Sequence, residues 1–453
     1  MIVRFVMPIR PIALELMNLF AQRPRQSCLA FTALTLCFAT QVIALKETPF
    51  GRFDVSASLS TEYDSRIFGI SSQMYNQILD SNTSNPIYAL NEIESEDDVI
   101  LRFTPALHYT KKLRWFTFSG STGVQVARFI KNDKKSYVQP TSSFSIDFDE
   151  SLKKRISNNA KIRFDMTFDL GQKVETSVLE QDLVSYTYFT TGANVRYNHS
   201  PKFGVGAGTS WNYRTYQGDG ATGGQNNQPY RDLSTLPIYA RAFYIYSEKL
   251  DFFTEYNYSK TKSHNGDSNS SLLDSSTHGI SLGVQGELSP KLTGNSNIGY
   301  VRQLYDGPFP GQGSLSLGSG LQWVLNRKSS VSFNLNRGFT PSAQGYTMLN
   351  TSGSISLNHR FTDKVSGSAS ITYGTSDYTY AYTPAQGHGS SPGATRSSSM
   401  DNIGFGLNLN KTINTYLNLS GGYNFSYFDR GTPYGTSENY NRHLIRVDLN
   451  GRF

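Results

Sequence analysis

From Gly51 to the C-terminus the chain repeats an apolar/polar alternation with a period of two, almost without interruption. Ile403, Phe405, Leu407 and Leu409 alternate with Asn402, Gly404, Gly406 and Asn408. Leu419, Tyr423, Phe425 and Tyr427 alternate with Ser420, Gly422, Asn424 and Ser426. Far upstream, Ile162, Phe164, Met166 and Phe168 face away from Arg163, Asp165, Thr167 and Asp169. Successive side chains of a strand point to opposite faces, so each segment has one apolar and one polar side. A chain built from such segments must cover the apolar faces with a second layer or leave them in lipid.

The connections decide between these. Short turns fall near Lys111-Lys112, Lys153-Lys154, Ser200-Pro201-Lys202, Glu248-Lys249, Ser289-Pro290-Lys291, Asn326-Arg327-Lys328, Thr362-Asp363-Lys364 and Lys411-Thr412. Between them lie polar stretches rich in Gly, Asn and Ser, at 217–234, 262–275, 304–312, 375–399 and 429–439, the longest being 61–97. Short turns on one rim and long loops on the other describe an antiparallel up-and-down transmembrane β-barrel. Eight turn-centred pairs, an opening strand over 51–60 and a closing strand over 440–453 predict eighteen strands with both termini on the periplasmic side. Sixteen is the alternative, because 113–130 and 184–200 read ambiguously. A β-propeller would need four short strands per repeat and a recurring motif, and neither occurs.

Mean hydropathy is −0.41, and no apolar run after the N-terminal region reaches the length of a spanning helix. The 28 Tyr and 28 Phe instead suit strands with aromatic residues at a membrane interface. Residues 1–44 read as a cleaved export signal: Arg23 and Arg25 precede an apolar stretch from Cys28 to Leu45, with Val42-Ile43-Ala44 the preferred cleavage site. A single barrel domain then occupies 45–453. Cys28 and Cys37 both fall in the leader, so no disulfide or thiol chemistry is expected afterwards. The leader also removes four Arg and one Glu from a net charge of +7, which leaves little to attract nucleic acid.

Nothing in the sequence reads as catalytic, and no cofactor or metal is expected. None of the seven His forms a metal-binding pair, and Gly204-Val205-Gly206-Ala207-Gly208 alternates like a strand, without the helix and Lys of a phosphate loop. His359 and His443 lie on outward registers near a rim. The acidic run Glu92, Glu94, Glu96, Asp97 and Asp98 lacks calcium-loop spacing and reads as a solvated loop end. The informative face is the lumen. Alternation places Arg52, Asp54, Arg102, Arg163, Asp165, Arg241, Asp251, Glu255, Glu287, Arg360, Arg446 and Asp448 inward as candidate pore-lining charges. In a barrel too wide for side chains to fill, such groups set which solutes pass. Tyr239, Phe243 and Tyr416 are read as inward aromatics.

The final strand ends on Phe453, the position of the aromatic that serves as an assembly signal in outer-membrane barrels. The opening of the chain carries a more specific likeness. Tyr63-Asp64-Ser65-Arg66-Ile67-Phe68 is followed by Asp98 and a strand containing Pro105, an arrangement that resembles the putative β-barrel porin 2 family of bacterial outer-membrane proteins. Ser65-Arg66 stands where that family usually has Asp-Asn. The resemblance implies an outer-membrane location and contact with lipid, lipopolysaccharide and the barrel-assembly machinery. It also raises polysaccharide-export components as partners, and it carries over no catalytic residue. The expected function is a porin-like aqueous channel for small hydrophilic solutes. An export pore for exopolysaccharide and a non-conducting structural or adhesive barrel are the alternatives.

Overall fold

The computed structural model describes residues 46–79, 93–114, 116–148, 162–177, 182–217, 232–264, 274–306, 311–341, 347–381, 395–431 and 437–452. After a short strand β1 (Lys46–Thr48), the first half of the barrel comprises β2 (Gly51–Asp64), β3 (Asp98–Lys112), β4 (Phe116–Phe129), β5 (Tyr137–Phe148), β6 (Ile162–Ser177), β7 (Asp182–Asn198), β8 (Phe203–Gln217), β9 (Asp232–Ser247) and β10 (Leu250–His264). The second half comprises β11 (Ser275–Ser289), β12 (Leu292–Tyr305), β13 (Gln312–Val324), β14 (Ser329–Pro341), β15 (Thr347–Arg360), β16 (Val365–Ala381), β17 (Thr395–Thr412), β18 (Leu417–Gly431) and β19 (Ser437–Arg452). From β2 onward each strand pairs with its successor, and β19 returns antiparallel to β2 through Arg452↔Ser56 to Leu444↔Asp64. The result is a closed ring of eighteen strands, as the alternation predicts. Both ambiguous segments, β4 and β7, are strands. No described helix is long and apolar enough to cross a membrane.

Closure follows from the medium. Lipid offers no partner to a backbone amide, so every ladder must be satisfied by a neighbouring strand and no edge can remain. The two faces separate as expected. Ile371, Leu409 and Leu282 are 58%, 58% and 61% exposed on the outside, whereas inward Asp54 is 2% exposed. Rings gather near the turns, where Phe53, Tyr109, Phe118 and Phe144 touch in sequence around β2–β5. Tyr373, opposite Gly353, lies eight residues along β15 from Phe361, or about 20 Å of membrane height for a tilted strand. That spacing matches two aromatic belts bounding an apolar band.

Seven of the eight predicted turns are described, and several of them share a local device. Asn414 Oδ1 accepts from the Tyr416 and Leu417 amides, both at 2.8 Å. Thr362, Ser200 and Asn326 serve their turns the same way. A short polar side chain reaching the amide two residues on is how such residues stabilise tight turns. The turn at Lys153-Lys154 lies outside the described residues. At the other rim the strands run further than predicted: β2 continues to Asp64, β16 to Ala381 and β18 to Gly431. Their polar ends stand beyond the apolar band, where alternation no longer marks a strand.

Candidate functional site: the lumenal wall and its first loop

After β2 the chain turns inward. Ile67–Gly69 forms a single 3-10 turn, and α1 (Ser72–Leu79) follows. Ile67, Phe68 and Ile70 are fully buried, packing with Ile93 from the end of the loop and with Ile100 and Phe129 from β3 and β4. Ile100 shares the parity of Arg102, and Phe129 is its cross-strand partner, so both point into the barrel. The first loop therefore lies against the inner wall. Tyr75 and Tyr137 cover this small core, Ser71 Oγ donates to Glu438 Oε2 on β19 at 3.1 Å, and the 3-10 turn comes close to β6. Phe68 adopts φ 54°, a left-handed conformation that costs an ordinary residue about 1–2 kcal/mol. Burial of its ring outweighs that cost.

The latch of this loop is Asp98, at 0% exposure. Its Oδ1 accepts the amides of Val99, Ile130 and Lys131 at 2.7, 2.9 and 2.9 Å; its Oδ2 accepts the Asn132 amide and Nδ2, both at 2.8 Å. Asn132, equally buried, accepts the Glu94 and Ser95 amides on Oδ1 and donates to the Ser95 carbonyl. Asp98 thus ties β3 to the β4–β5 connection, and Asn132 ties that connection to the end of the first loop. The described members of the acidic run are engaged too: Glu96 with Arg66, Asp97 with Lys131 at 2.6 Å and Glu94 with Lys134 at 3.1 Å. The Lys131 hydrogen bond holds the Asp97 carboxyl below its ordinary value, and Asp97 in turn raises Lys131. The run is a set of anchors where the sequence suggested a solvated loop end, because burial at a strand end leaves no mark on sequence pattern. Glu92 lies outside the described residues.

Two further carboxylates bracket the seam where β19 meets β2. Toward the loops, Asp64 receives Arg442 Nε at 3.0 Å and Nη2 at 2.6 Å, a bidentate pair. Toward the turns, Asp54 receives Arg52 Nε at 3.1 Å and Arg452 Nη2 at 2.8 Å. Asp54 is thus a seam clasp more than a free pore charge. Arg446 pairs with Asp448 at 2.7 Å, and Ser420 Oγ donates to the same carboxylate.

The other concentration of charge lies on β7–β11. Arg196 Nη1 meets Asp251 Oδ2 at 2.8 Å, and Arg241 Nε meets Glu255 Oε2 at 2.7 Å; Gln285 bridges them, donating to Asp251 and accepting from Arg241. Beneath, the Arg196 and Arg241 guanidiniums lie 4.1 and 4.3 Å over the rings of Phe243 and Phe253. Stacking and ion pairing hold both arginines in place with their charge neutralised. The Gly204–Gly208 alternation makes this packing feasible, since a Cβ on Gly208 or Gly206 would meet Tyr239 or Phe243.

The remaining predicted positions fall as follows. Arg102 pairs with Glu62 at 3.1 Å, and Glu287 with Lys249 at 2.7 Å near a turn. Arg360 closes β15 at the turn rim, its amide donating to the Lys328 carbonyl. Arg163 and Asp165 lie on β6, but their side chains are outside the described residues, as are Phe453 and the proposed leader. Tyr416 is corrected: it sits in the β17–β18 turn, half-exposed, and not on an inward strand register. His359 and His443 face outward, bonded to Ser329 and Tyr423. Glu62, Arg196, Gln285, Asn132 and Arg442 were not singled out as lumenal groups by sequence. Each finds its partner on a segment distant in the chain, which alternation does not indicate.

Residues 128–453, well over half of the chain, match the family described as Putative beta-barrel porin 2. The chain belongs to that family. The opening segment that suggested the likeness lies upstream of the matched residues. No curated protein matches the chain. Among solved structures, it is similar to OpdO of Pseudomonas aeruginosa, with 11% identity and a TM-score of 0.41 over 88% of this chain and 97% of that one. It is also similar to OccK2 (OpdF) of the same organism, at 9% identity and a TM-score of 0.44 over 88% and 98%. OccAB4 of Acinetobacter baumannii shows 12% identity and a TM-score of 0.42 over the same shares. As a member of this porin family the chain is an integral outer-membrane protein, and its apolar outer face meets lipid.

Proposed function

We propose that the protein is a diffusion channel for small hydrophilic solutes across the outer membrane, narrowed by its inward first loop. The observation that carries this reading is a closed ring of eighteen strands with a polar inner face. That circumference is too wide for side chains to fill, so an aqueous path remains beside the loop. The charges read as pore-lining act mainly as paired supports of the wall, Arg446 remaining half-exposed beside Asp448. Neither an export role nor an adhesive one has a specific observation in its favour. Absence of catalysis, removal of residues 1–44 and reading of Phe453 by the assembly machinery belong to the same proposal. Full-length protein folded into planar bilayers should give stable, stepwise conductance in potassium chloride. A barrel that inserts fully, shown by protection of its strands from protease, yet passes no current would overturn the reading.

A further inference from the structure

The lumenal face is chemically divided. Across β13–β18 the inward registers at 316–322, 330–338, 350–358, 366–376, 402–412 and 418–426 carry only Ser, Thr, Asn, Gln and Gly. Over these registers six adjacent strands, a third of the ring, carry no charge and no large apolar group; toward the loops the same face continues through Met348, Met400, Phe428 and Arg430, and the Arg337 guanidinium bonds Ser314 and Thr351 there. The charged shelf of β7–β11 begins on the opposite side, β8 being nine strands from β17 in either direction around the ring. There the charges are matched: Arg196 with Asp251 and Arg241 with Glu255.

The neutral wall is also ordered. Asn297, on β12 at the edge of the wall, lies opposite Gly318 of β13, Asn402 opposite Gly374 and Asn424 opposite Gly406, in direct cross-strand register. In each pair a Cβ on the glycine would collide with the asparagine Oδ1. The amides therefore lie across the neighbouring strand, their positions set by the missing Cβ. A fixed amide offers two donors and an acceptor, and each hydroxyl offers one donor and two acceptors. Such a surface exchanges hydrogen bonds with water or with any solute rich in hydroxyls, at little desolvation cost. It gives no favourable field to an ion, which must keep its own water.

We infer that the β13–β18 wall is the path of neutral, polyhydroxylated solutes, sugars of one to a few rings, and that it makes the channel favour them over charged compounds of equal size. This rests on the channel reading above. The test is liposome swelling with the full-length protein, comparing glucose with gluconate and with protonated glucosamine. Glucose should enter faster than either ion by about fivefold, the ratio corresponding to one net hydrogen bond. In bilayers, potassium and chloride should permeate about equally. The triple variant N297D/N402D/N424D should lose the glucose advantage over glucosamine while keeping conductance. Equal swelling for all three solutes, or faster entry of one ion, in a conducting wild-type channel would overturn the sugar assignment and leave the channel standing. Absence of any swelling or conductance would overturn both.

Discussion

Replacing Asp98 with alanine tests whether the first loop is held against the wall by that one carboxylate. The substitution removes the acceptor of five donors. Ile130 N–H keeps the Val99 carbonyl at 3.1 Å, and Asn132 Nδ2 keeps the Ser95 carbonyl at 3.1 Å. The amides of Lys131 and Asn132 lose their carboxylate. Hydrogen bonds to a charged group contribute about 1.5–3 kcal/mol each, so the latch weakens by about 3–6 kcal/mol. The loss is local, because the ladders of β3 and β4 continue below Asp98. Single-channel recording of D98A should therefore show a larger mean current with frequent brief closures. Limited proteolysis should cut within 65–97 where the parent resists. The temperature at which the folded barrel converts to the slower-migrating form on a gel should change little. D98N should fall between, since one acceptor remains while its new amide faces the donors of Asn132. Parental current and protease resistance in D98A would refute the latch.

Three further outcomes follow from the same geometry. Arg442→Met leaves Asp64 buried at 1% exposure without its bidentate partner and should destabilise the barrel by about 3–5 kcal/mol, seen as a lower gel-shift temperature; joint replacement D64L/R442M should recover much of it. Asp97 is held below its ordinary value of 3.8 by the Lys131 hydrogen bond, so the stability this pair gives the loop is fully present above that value and is lost as pH falls through the depressed one. Protease sensitivity of 65–97 should thus be flat at neutral and mildly acidic pH and rise only below the ordinary carboxylate range, the rise being absent in K131M. Gly286→Ala should lower refolding yield, because φ is 121° and the new Cβ would strike the Lys249 carbonyl, whereas Gly338→Ala, with nothing within 4 Å, should refold like the parent.

Much of the barrel was legible in the sequence for a physical reason. Lipid leaves a spanning strand only one arrangement, with apolar side chains out and partners on both edges, so alternation carries both the strand and its facing. Turns such as Thr362-Asp363-Lys364 were legible because their chemistry is local. What was not legible is interaction across the ring. Asp64 and Arg442 are separated by 378 positions, and nothing in either neighbourhood names the other. Arg196 and Asp251 face one another only because β8 and β9 intervene with glycines and an aromatic of the right size. Asp98 and the acidic run before it look the same in sequence whether hydrated or buried; only the fold of the first loop decides. Tyr416 was misread because the last turn begins at Ile413, where the alternating pattern continues for one residue beyond the strand.

The placement of charge follows from where ring closure costs most. β18 and β19 pair over fifteen residues, but β19 and β2, which join the two ends of the chain, pair over nine. That seam also brings together the strands furthest apart in sequence, the contact with the greatest loop-closure cost. The costliest junction to close calls for side-chain reinforcement, and it is there that Asp54–Arg452 and Asp64–Arg442 lie, one toward each end of the shared ladder. Ser65 extends the same junction, its amide donating to the His443 carbonyl and its hydroxyl accepting the His443 amide. The neighbouring Arg66 and Ile67 then direct the chain into the lumen. The segment that closes the ring is therefore the segment that launches the inward loop, and weakening either clasp should disturb both. The strands of the neutral wall are sequential hairpin partners with ladders of eight to seventeen residues. They close cheaply and have no comparable need for buried charge, which leaves their inner face free to be lined by amides and hydroxyls.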